Sequence, residues 1–224
     1  MNATLFMPRQ SLNDSLASFQ QQINSTIDAF MASLPEPEQL TGEERRGIIA
    51  RYTAVLEGNF IYWMTATLLA VQSEDARPVL LENLHEEVRD AHPVMMRRFA
   101  IAARAFPTDA DALAVDEDLT NMRLFMGRLS GVQSLLAMAF FEGFIQKFMT
   151  YLAILAAAQG STDMEYTDVH GICDIAHTAG LFRAFDAEIS IHPFDSKEDL
   201  LEGVNLLRSL LETIVFNTVD AHSV

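Results

Sequence analysis

The sequence has a single cysteine and few of the residues that interrupt helices. Its 224 residues include one Cys, 7 Pro and 10 Gly, whereas 50% of them are hydrophobic. Because Cys173 has no partner, an intramolecular disulfide framework is excluded and a reducing compartment is favoured. Few prolines and glycines beside a large apolar fraction favour a helical globular domain, and the length suffices for one domain with a full core.

Basic residues are also scarce. The chain carries 15 Lys and Arg against 31 Asp and Glu, a formal net charge of −16. Such a surface repels phosphate backbones and anionic membranes, so we expect neither nucleic acid nor a membrane as a partner. The first residues lack the basic start and apolar core of a secretory signal. The most apolar stretch contains Glu142, Gln146 and Lys147, which interrupt it before membrane length, so we predict a soluble, cytoplasmic protein.

Apolar residues recur at helical spacing through most of the chain. The seven predicted helices span about residues 15–34, 42–72, 77–106, 118–129, 131–158, 163–189 and 196–220. Thr41 and Glu44 predict a capping box at the second helix, Pro93 predicts a kink or break near His92, and the acidic segment 107–118 is predicted to be a connection. We expect one all-α domain over residues 1–224, with a core at about 42–190 between an N-terminal and a C-terminal helix.

Three ligand-type residues occur in one predicted helix at spacings of four and three residues. They are His170, Asp174 and His177. Those steps return to one helix face, so two imidazoles and a carboxylate point at a single spot. Imidazole nitrogen and carboxylate oxygen are ligands that non-haem iron and zinc accept, and a cation removes the cost of burying an aspartate. The trio predicts a metal site, although such residues also form structural networks.

Two glutamates lie on predicted apolar faces of other helices. Glu57 has Thr53 and Phe60 at same-face offsets, and Glu142 belongs to a helix that is apolar nearly all round. Carboxylates seldom occupy such positions without a compensating partner. Both are therefore candidate ligands, and a half-exposed glutamate is the alternative interpretation for Glu57.

The third predicted helix offers more candidates than one site can use. They are Glu82, His85, Glu86, Glu87, Asp90 and His92. The apolar stripe of this helix consists of Leu80, Leu84, Val88 and Ala91. Glu87 lies on that stripe, and His92 precedes the proline where a break can turn its imidazole inward. Glu82 and Glu86 share their side with Asn83 and are predicted to be solvated. Glu82 and His85 form a competing Glu-x-x-His pattern of the ferritin-like kind.

The assembled set draws on four helices. It comprises Glu57, Glu87, His92, Glu142, His170, Asp174 and His177. Four carboxylates balance the charge of two divalent cations. Mixed nitrogen and oxygen ligation suits iron, and the lack of cysteine ligands argues against an iron–sulfur cluster. The pattern predicts a di-iron site.

From about Glu44 to Ile189 the sequence resembles the haem-oxygenase-like di-iron oxidases and oxygenases. The resemblance rests on Glu57, the LLENLHEEVRDAHP segment, Glu142, and the His-x3-Asp-x2-His motif of His170, Asp174 and His177. The second glutamate of that segment corresponds to the family's ligand, which also points to Glu87, although the spacing from Glu87 to His92 is short for the family. The resemblance implies a seven-helix haem-oxygenase-like bundle without haem that holds two Fe(II) ions.

The resemblance also implies a reaction. The two ferrous ions would activate dioxygen as the co-substrate. We expect N-oxygenation, desaturation or oxidative C–C cleavage of a small amino-acid-derived substrate in specialised-metabolite biosynthesis, either free or tethered to a carrier protein. A homodimer is expected. The aromatic residues near the two glutamates are expected to pack in the core rather than line a pocket; they are Tyr62, Trp63, Phe140 and Phe141.

Two other classes remain open. A ferritin-like ferroxidase or iron-binding bundle would use Glu82 and His85 as ligands. A metal-free, thiaminase-like protein of the same fold would use Cys173 as its nucleophile.

Overall fold

The computed structural model of the chain describes residues 9–192 and 199–217, and all regular secondary structure in these ranges is helical. The helices are α1 (Arg9–Ser33), α2 (Gly42–Leu56), α3 (Asn59–Ala70), α4 (Ala76–Arg89), α5 (His92–Ala102), α6 (Asp109–Met126), α7 (Gly131–Ala158), α8 (Glu165–Ile191) and α9 (Glu202–Phe216). The all-α class is confirmed. The described ranges contain nine helices instead of seven because two of the predicted helices are each divided in two.

The predicted helix 42–72 is wrong as a continuous element. Thr41 and Glu44 form the expected capping box, but α2 ends at Leu56 and Glu57 is already extended. Gly58 then adopts a φ of +80°, a left-handed conformation that glycine reaches without a Cβ clash. The side-chain amide of Asn59 donates to the Val55 carbonyl at 2.7 Å, which satisfies one backbone acceptor exposed by the break. Apolar periodicity continues across the break and hides it in the sequence.

The break predicted near His92 is confirmed. Helix α4 ends at Arg89, Ala91 adopts a φ of +56°, and α5 begins at His92 with Pro93 in its first turn. Proline is tolerated there because its missing N–H would have no helical acceptor. The break places His92 beside Glu87, near the end of α4.

The predicted connection 107–118 is wrong, because α6 begins at Asp109. Thr108 and Asp111 form a capping box, a start signal concealed among the acidic residues. Arg46 of α2 also donates two hydrogen bonds to Asp111, at 3.0 and 3.1 Å. Helix α1 begins earlier than predicted, at Arg9, and α9 begins at Glu202; the predicted ends of the last helix, residues 196 and 220, lie outside the described residues.

Helix α7 is the centre of the fold. It packs against α8 most extensively and also contacts α1, α2, α3, α5 and α9. By length and composition α7 could cross a membrane, but most of its apolar stretch is buried among the described helices, as in the core helix of a soluble protein. Trp63, Phe140 and Phe141 are buried as predicted, whereas Tyr62 is 42% exposed, so its prediction as a core residue is wrong.

Candidate metal centre

Helix α4 presents its buried face to α8 and α3. The buried residues of that face are Ala76, Leu80, Asn83 and Glu87. Glu87 is thus buried as its predicted place on the inner stripe requires, but the rest of the stripe differs from the prediction. Val88 and Ala91 are exposed, and Asn83, on the side predicted to be solvated, is buried. These four residues are spaced by four, three and four positions, so they lie on one face of the helix. Packing against the neighbouring helices, rather than hydropathy, decides which face is buried.

Glu87, His92 and His170 form a buried group, which we call the Glu87 cluster. His92 Nδ1 donates to Glu87 Oε1 at 2.6 Å, and His170 Nε2 lies 3.8 Å from the same oxygen. His170 Nδ1 donates to the carbonyl oxygen of Tyr166 at 2.9 Å, which holds the ring with Nε2 toward Glu87. One ligand atom from each residue lies within 4.8 Å of the others, so the cluster could hold a metal ion.

Charge in the Glu87 cluster is balanced internally. Burial by itself raises the pKa of Glu87, but the nearby imidazoles of His170 and His92 outweigh burial and lower that pKa to about 2. Burial lowers the pKa of His170, whereas the nearby carboxylates of Glu87 and Asp174 raise it, with a net increase. The carboxylate therefore stays ionised, and the site favours a positive charge beside it.

A second group surrounds His177, and we call it the His177 cluster. It consists of Glu86, Glu142, Asp174 and His177. His177 Nε2 donates to Glu86 Oε2 at 2.7 Å, while its Nδ1 lies 3.5 Å from Asp174 Oδ1 and 3.7 Å from Glu142 Oε2. Asp174 and Glu142 are each 1% exposed. Two buried carboxylates thus face one imidazole nitrogen at distances too long for a direct hydrogen bond.

The His177 cluster has buried polar atoms without hydrogen-bond partners. Among the described residues, Asp174 Oδ2 and His177 Nδ1 are both buried and unpaired. Burial raises the pKa of Glu142, and the nearby Asp174 raises it further. Burial lowers the pKa of His177, but contacts with Asp174 and Glu142 raise it to about 11. Buried polar atoms without partners are costly. Asp174, His177 and Cys173 have ligand atoms within 4.8 Å of one another, so the group could hold a second metal ion in place of the proton on His177.

Glu142 connects the two clusters. Its side chain faces His177, and it also lines one cavity together with Glu87, His92 and His170. The amide of Asn83 donates to Glu142 Oε1 at 2.7 Å, which fixes the carboxylate between α4 and α8. Glu142 is thus the described carboxylate that contacts the His177 cluster and also faces the cavity of the Glu87 cluster.

The cavity beside the Glu87 cluster is small and mainly apolar. Its free volume for water-sized molecules is about 20 Å³, which is room for about one water. Apart from the candidate ligands, its wall consists of Leu56, Phe60, Ile61, Pro93, Met96, Ile145 and Tyr166. No Lys or Arg side chain lines it in the described part of the chain. The cavity admits a diatomic molecule, but a larger substrate requires the surrounding helices to move.

Glu57 is not brought together with the other six predicted site residues. Its side chain is 31% exposed and forms an ion pair with Arg97 of α5. The prediction that Glu57 faces the interior assumed a continuous helix through residue 57. Because α2 ends at Leu56, the same-face relation to Phe60 is lost and the side chain turns toward Arg97.

Two residues of the site were not predicted from the sequence: Glu86 was predicted to be solvated, and Asn83 was assigned no role. Glu86 is 30% exposed and contacts His177, and Asn83 contacts Glu142. The available signal was the helical step from Ala76 and Leu80 to Asn83 and Glu87, which defines the buried face without Leu84.

Residues of the two alternative classes are placed differently. Glu82 and His85 are exposed, so the ferritin-like pair does not join the buried clusters. Burial raises the pKa of the Cys173 thiol, and the neighbouring Asp174 raises it further. Cys173 is therefore protonated at neutral pH and lacks the thiolate character of a nucleophile.

Comparison with family models, curated proteins and solved structures finds no match for this chain. The described residues form an all-α protein whose core contains a carboxylate–imidazole group able to hold a metal ion.

Proposed function

We propose that the protein is a non-haem di-iron oxidase or oxygenase with a haem-oxygenase-like helical fold. The observation that carries the proposal is the pair of adjoining clusters, each with carboxylate and imidazole groups, that share Glu142. Mixed nitrogen and oxygen ligands from a helical core are typical of di-iron carboxylate proteins.

The residues divide between two ions. Glu87, His92 and His170 would hold the first ion, Asp174 and His177 the second, and Glu142 would lie between them. Three buried carboxylates, with Glu86 beside them, provide four negative charges, which balance two divalent cations. Such neutrality matters because an uncompensated charge in a protein core is costly.

Bound ferrous iron would supply the electrons that reduce dioxygen. The protein residues would orient the ligands and exclude water. The Tyr166 carbonyl orients His170, and Asn83 orients Glu142. The apolar wall limits access of water to the reacting site, which protects a reactive oxygen species from side reactions.

The cavity also restricts the substrate. We propose a small amino-acid-derived substrate, free or carried on a protein, of which an apolar part enters the cavity. No Lys or Arg side chain lines the cavity in the described ranges to pair with a carboxylate of the substrate, so we propose that the charged groups of the substrate remain outside it. The wall contains residues on both sides of the Gly58 break and of the Ala91 break. These breaks are where the wall would open at the lowest cost, because fewer helical hydrogen bonds cross them.

N-oxygenation, desaturation and C–C cleavage are all compatible with this site, and we propose a cytoplasmic homodimer acting in specialised metabolism.

Anaerobic loading with ferrous iron tests the proposal. We expect two iron ions per chain, and a transient absorption band when the loaded protein is mixed with dioxygen in a stopped-flow instrument. His170→Ala should bind one iron ion instead of two, whereas His85→Ala, a matched change at an exposed histidine, should still bind two. Absence of bound iron would refute the proposal, and many ions per chain would instead support a ferritin-like protein.

A further inference from the structure

We propose that Glu86 is a positioning residue, which orients His177 so that its Nδ1 is the metal-binding atom. The inference rests on the proposed metal centre and assigns a role to a residue that the ligand set does not include.

The first step is the hydrogen bond between Glu86 and His177. The ring N–H at Nε2 donates to Glu86 Oε2 at 2.7 Å, a normal length for a charge-assisted hydrogen bond. A neutral imidazole carries one N–H donor and one nitrogen lone pair. With the proton held at Nε2 by the carboxylate, the lone pair of a neutral His177 is at Nδ1.

The second step is what Nδ1 faces. It is buried without a hydrogen-bond partner in the described part of the chain, 3.5 Å from Asp174 and 3.7 Å from Glu142. Asp174 Oδ2 is also buried and unpaired. The Nδ1 lone pair therefore faces both carboxylates, and a cation bound beside it would also satisfy the unpaired oxygen of Asp174.

The third step separates Glu86 from the ligands. The two ring nitrogens of an imidazole point in different directions, so Glu86 lies across the ring from Asp174 and Glu142. Its 30% exposure keeps its carboxylate partly in water, whereas Asp174 and Glu142 are each 1% exposed. Glu86 and Glu87 are consecutive on α4, and this step around the helix directs only Glu87 into the cavity.

His170 on the same helix provides an internal comparison. There the carbonyl of Tyr166 accepts the proton of Nδ1, and Nε2 is left toward Glu87. In each histidine one ring nitrogen donates to an acceptor outside the cluster and the other faces the cluster. The nitrogen that faces the cluster is Nε2 in His170 and Nδ1 in His177. This is the arrangement by which outer acceptors determine the tautomer of metal-bound histidines.

Titration of the metal-free full-length protein with Co(II) under nitrogen tests the role of Glu86. We expect E86A to weaken the affinity for one of two ions by about 10–100-fold and leave the other unchanged, the usual cost of losing an outer partner of a histidine ligand. His177→Ala should weaken the affinity for the same ion. E82A is the matched control, since it removes the same charge from the exposed side of α4.

The variant E86Q distinguishes positioning from direct ligation. A glutamine oxygen can still accept the Nε2 proton, so we expect the Co(II) affinity of E86Q to lie nearer to that of the unchanged protein than to that of E86A. If E86Q loses as much affinity as E86A, Glu86 is itself a ligand and the inference is wrong.

Nitrogen NMR of histidine provides a readout independent of affinity. In the protein loaded with diamagnetic Zn(II), we expect His177 to keep its proton on Nε2 and to bind the ion through Nδ1. A proton on Nδ1 overturns the inference while leaving the metal centre intact. Failure of the unchanged protein to bind either Co(II) or Zn(II) overturns the proposed function, and the role of Glu86 with it.

Discussion

The two clusters differ in how their buried charges are compensated. In the Glu87 cluster one carboxylate lies between two imidazoles, and its nearest imidazole contact is a hydrogen bond of 2.6 Å. In the His177 cluster two fully buried carboxylates share one imidazole nitrogen at 3.5 Å or more, and two polar atoms lack partners. In the Glu87 cluster the buried negative charge is nearly compensated without a metal ion. In the His177 cluster a cation is required to offset the cost of burying two carboxylates.

The largest expected effect comes from removing one histidine from either cluster. His170→Ala and His177→Ala should each abolish tight binding of one ion and retain the other. We expect a loss of about 4 kcal/mol of binding energy, on the order of a thousandfold in affinity, because a four-ligand metal site contributes about 10–16 kcal/mol in all. Equilibrium dialysis against Fe(II) measures it. If either change removes both ions, the clusters act as one site and the comparison fails.

The pH dependence of unfolding should separate the clusters in the metal-free protein. The pKa of Glu87 is lowered from 4.5 to about 2, so its contribution is present above pH 4.5 and is lost as the pH falls toward 2. The shift corresponds to on the order of 3 kcal/mol. The pKa of His177 is raised from 6.5 to about 11, so its contribution is present below pH 6.5 and is lost as the pH rises toward 11.

Denaturant unfolding at a series of pH values measures these two losses. E87Q should flatten the acid side of the stability profile and leave the alkaline side unchanged, whereas His177→Gln should do the reverse. Bound Zn(II) should remove most of the alkaline loss, since the cation replaces the positive charge that protonated His177 places beside Asp174 and Glu142. Identical profiles for both variants would show that the clusters do not titrate separately.

The smallest effect is expected from Glu57, the predicted ligand that lies outside both clusters. Its ion pair with Arg97 is half-exposed, and such pairs contribute about 0–1 kcal/mol to stability. E57A should therefore change the free energy of unfolding by less than about 1 kcal/mol and leave the affinity for both ions unchanged. Thermal unfolding and Co(II) titration measure the two quantities. Loss of one ion in E57A would instead show that Glu57 leaves Arg97 and enters the centre when metal binds.

Sequence reasoning was most accurate where the deciding interactions are local. Helix α7 begins and ends at the predicted residues, and the break before Pro93 was expected from the chemistry of proline. It failed at Gly58, where a helix break interrupts a stretch of continuous apolar periodicity. It also failed at Asp109, where the capping box that starts α6 is hidden in a run of acidic residues. The failure at Gly58 misassigned Glu57, because the direction of its side chain depends on where α2 ends.

The sequence by itself determined the helical class, the acidic charge and the common face of His170, Asp174 and His177, because the spacing of residues along one helix settles each face. Only the tertiary structure decided that Glu86 and Asn83 join the centre, that Glu57 pairs with Arg97, and which nitrogen of each histidine faces inward. These outcomes depend on how α4 and α5 pack against α7 and α8. Contacts between distant segments leave no periodic signal in the chain, so local pattern cannot encode them.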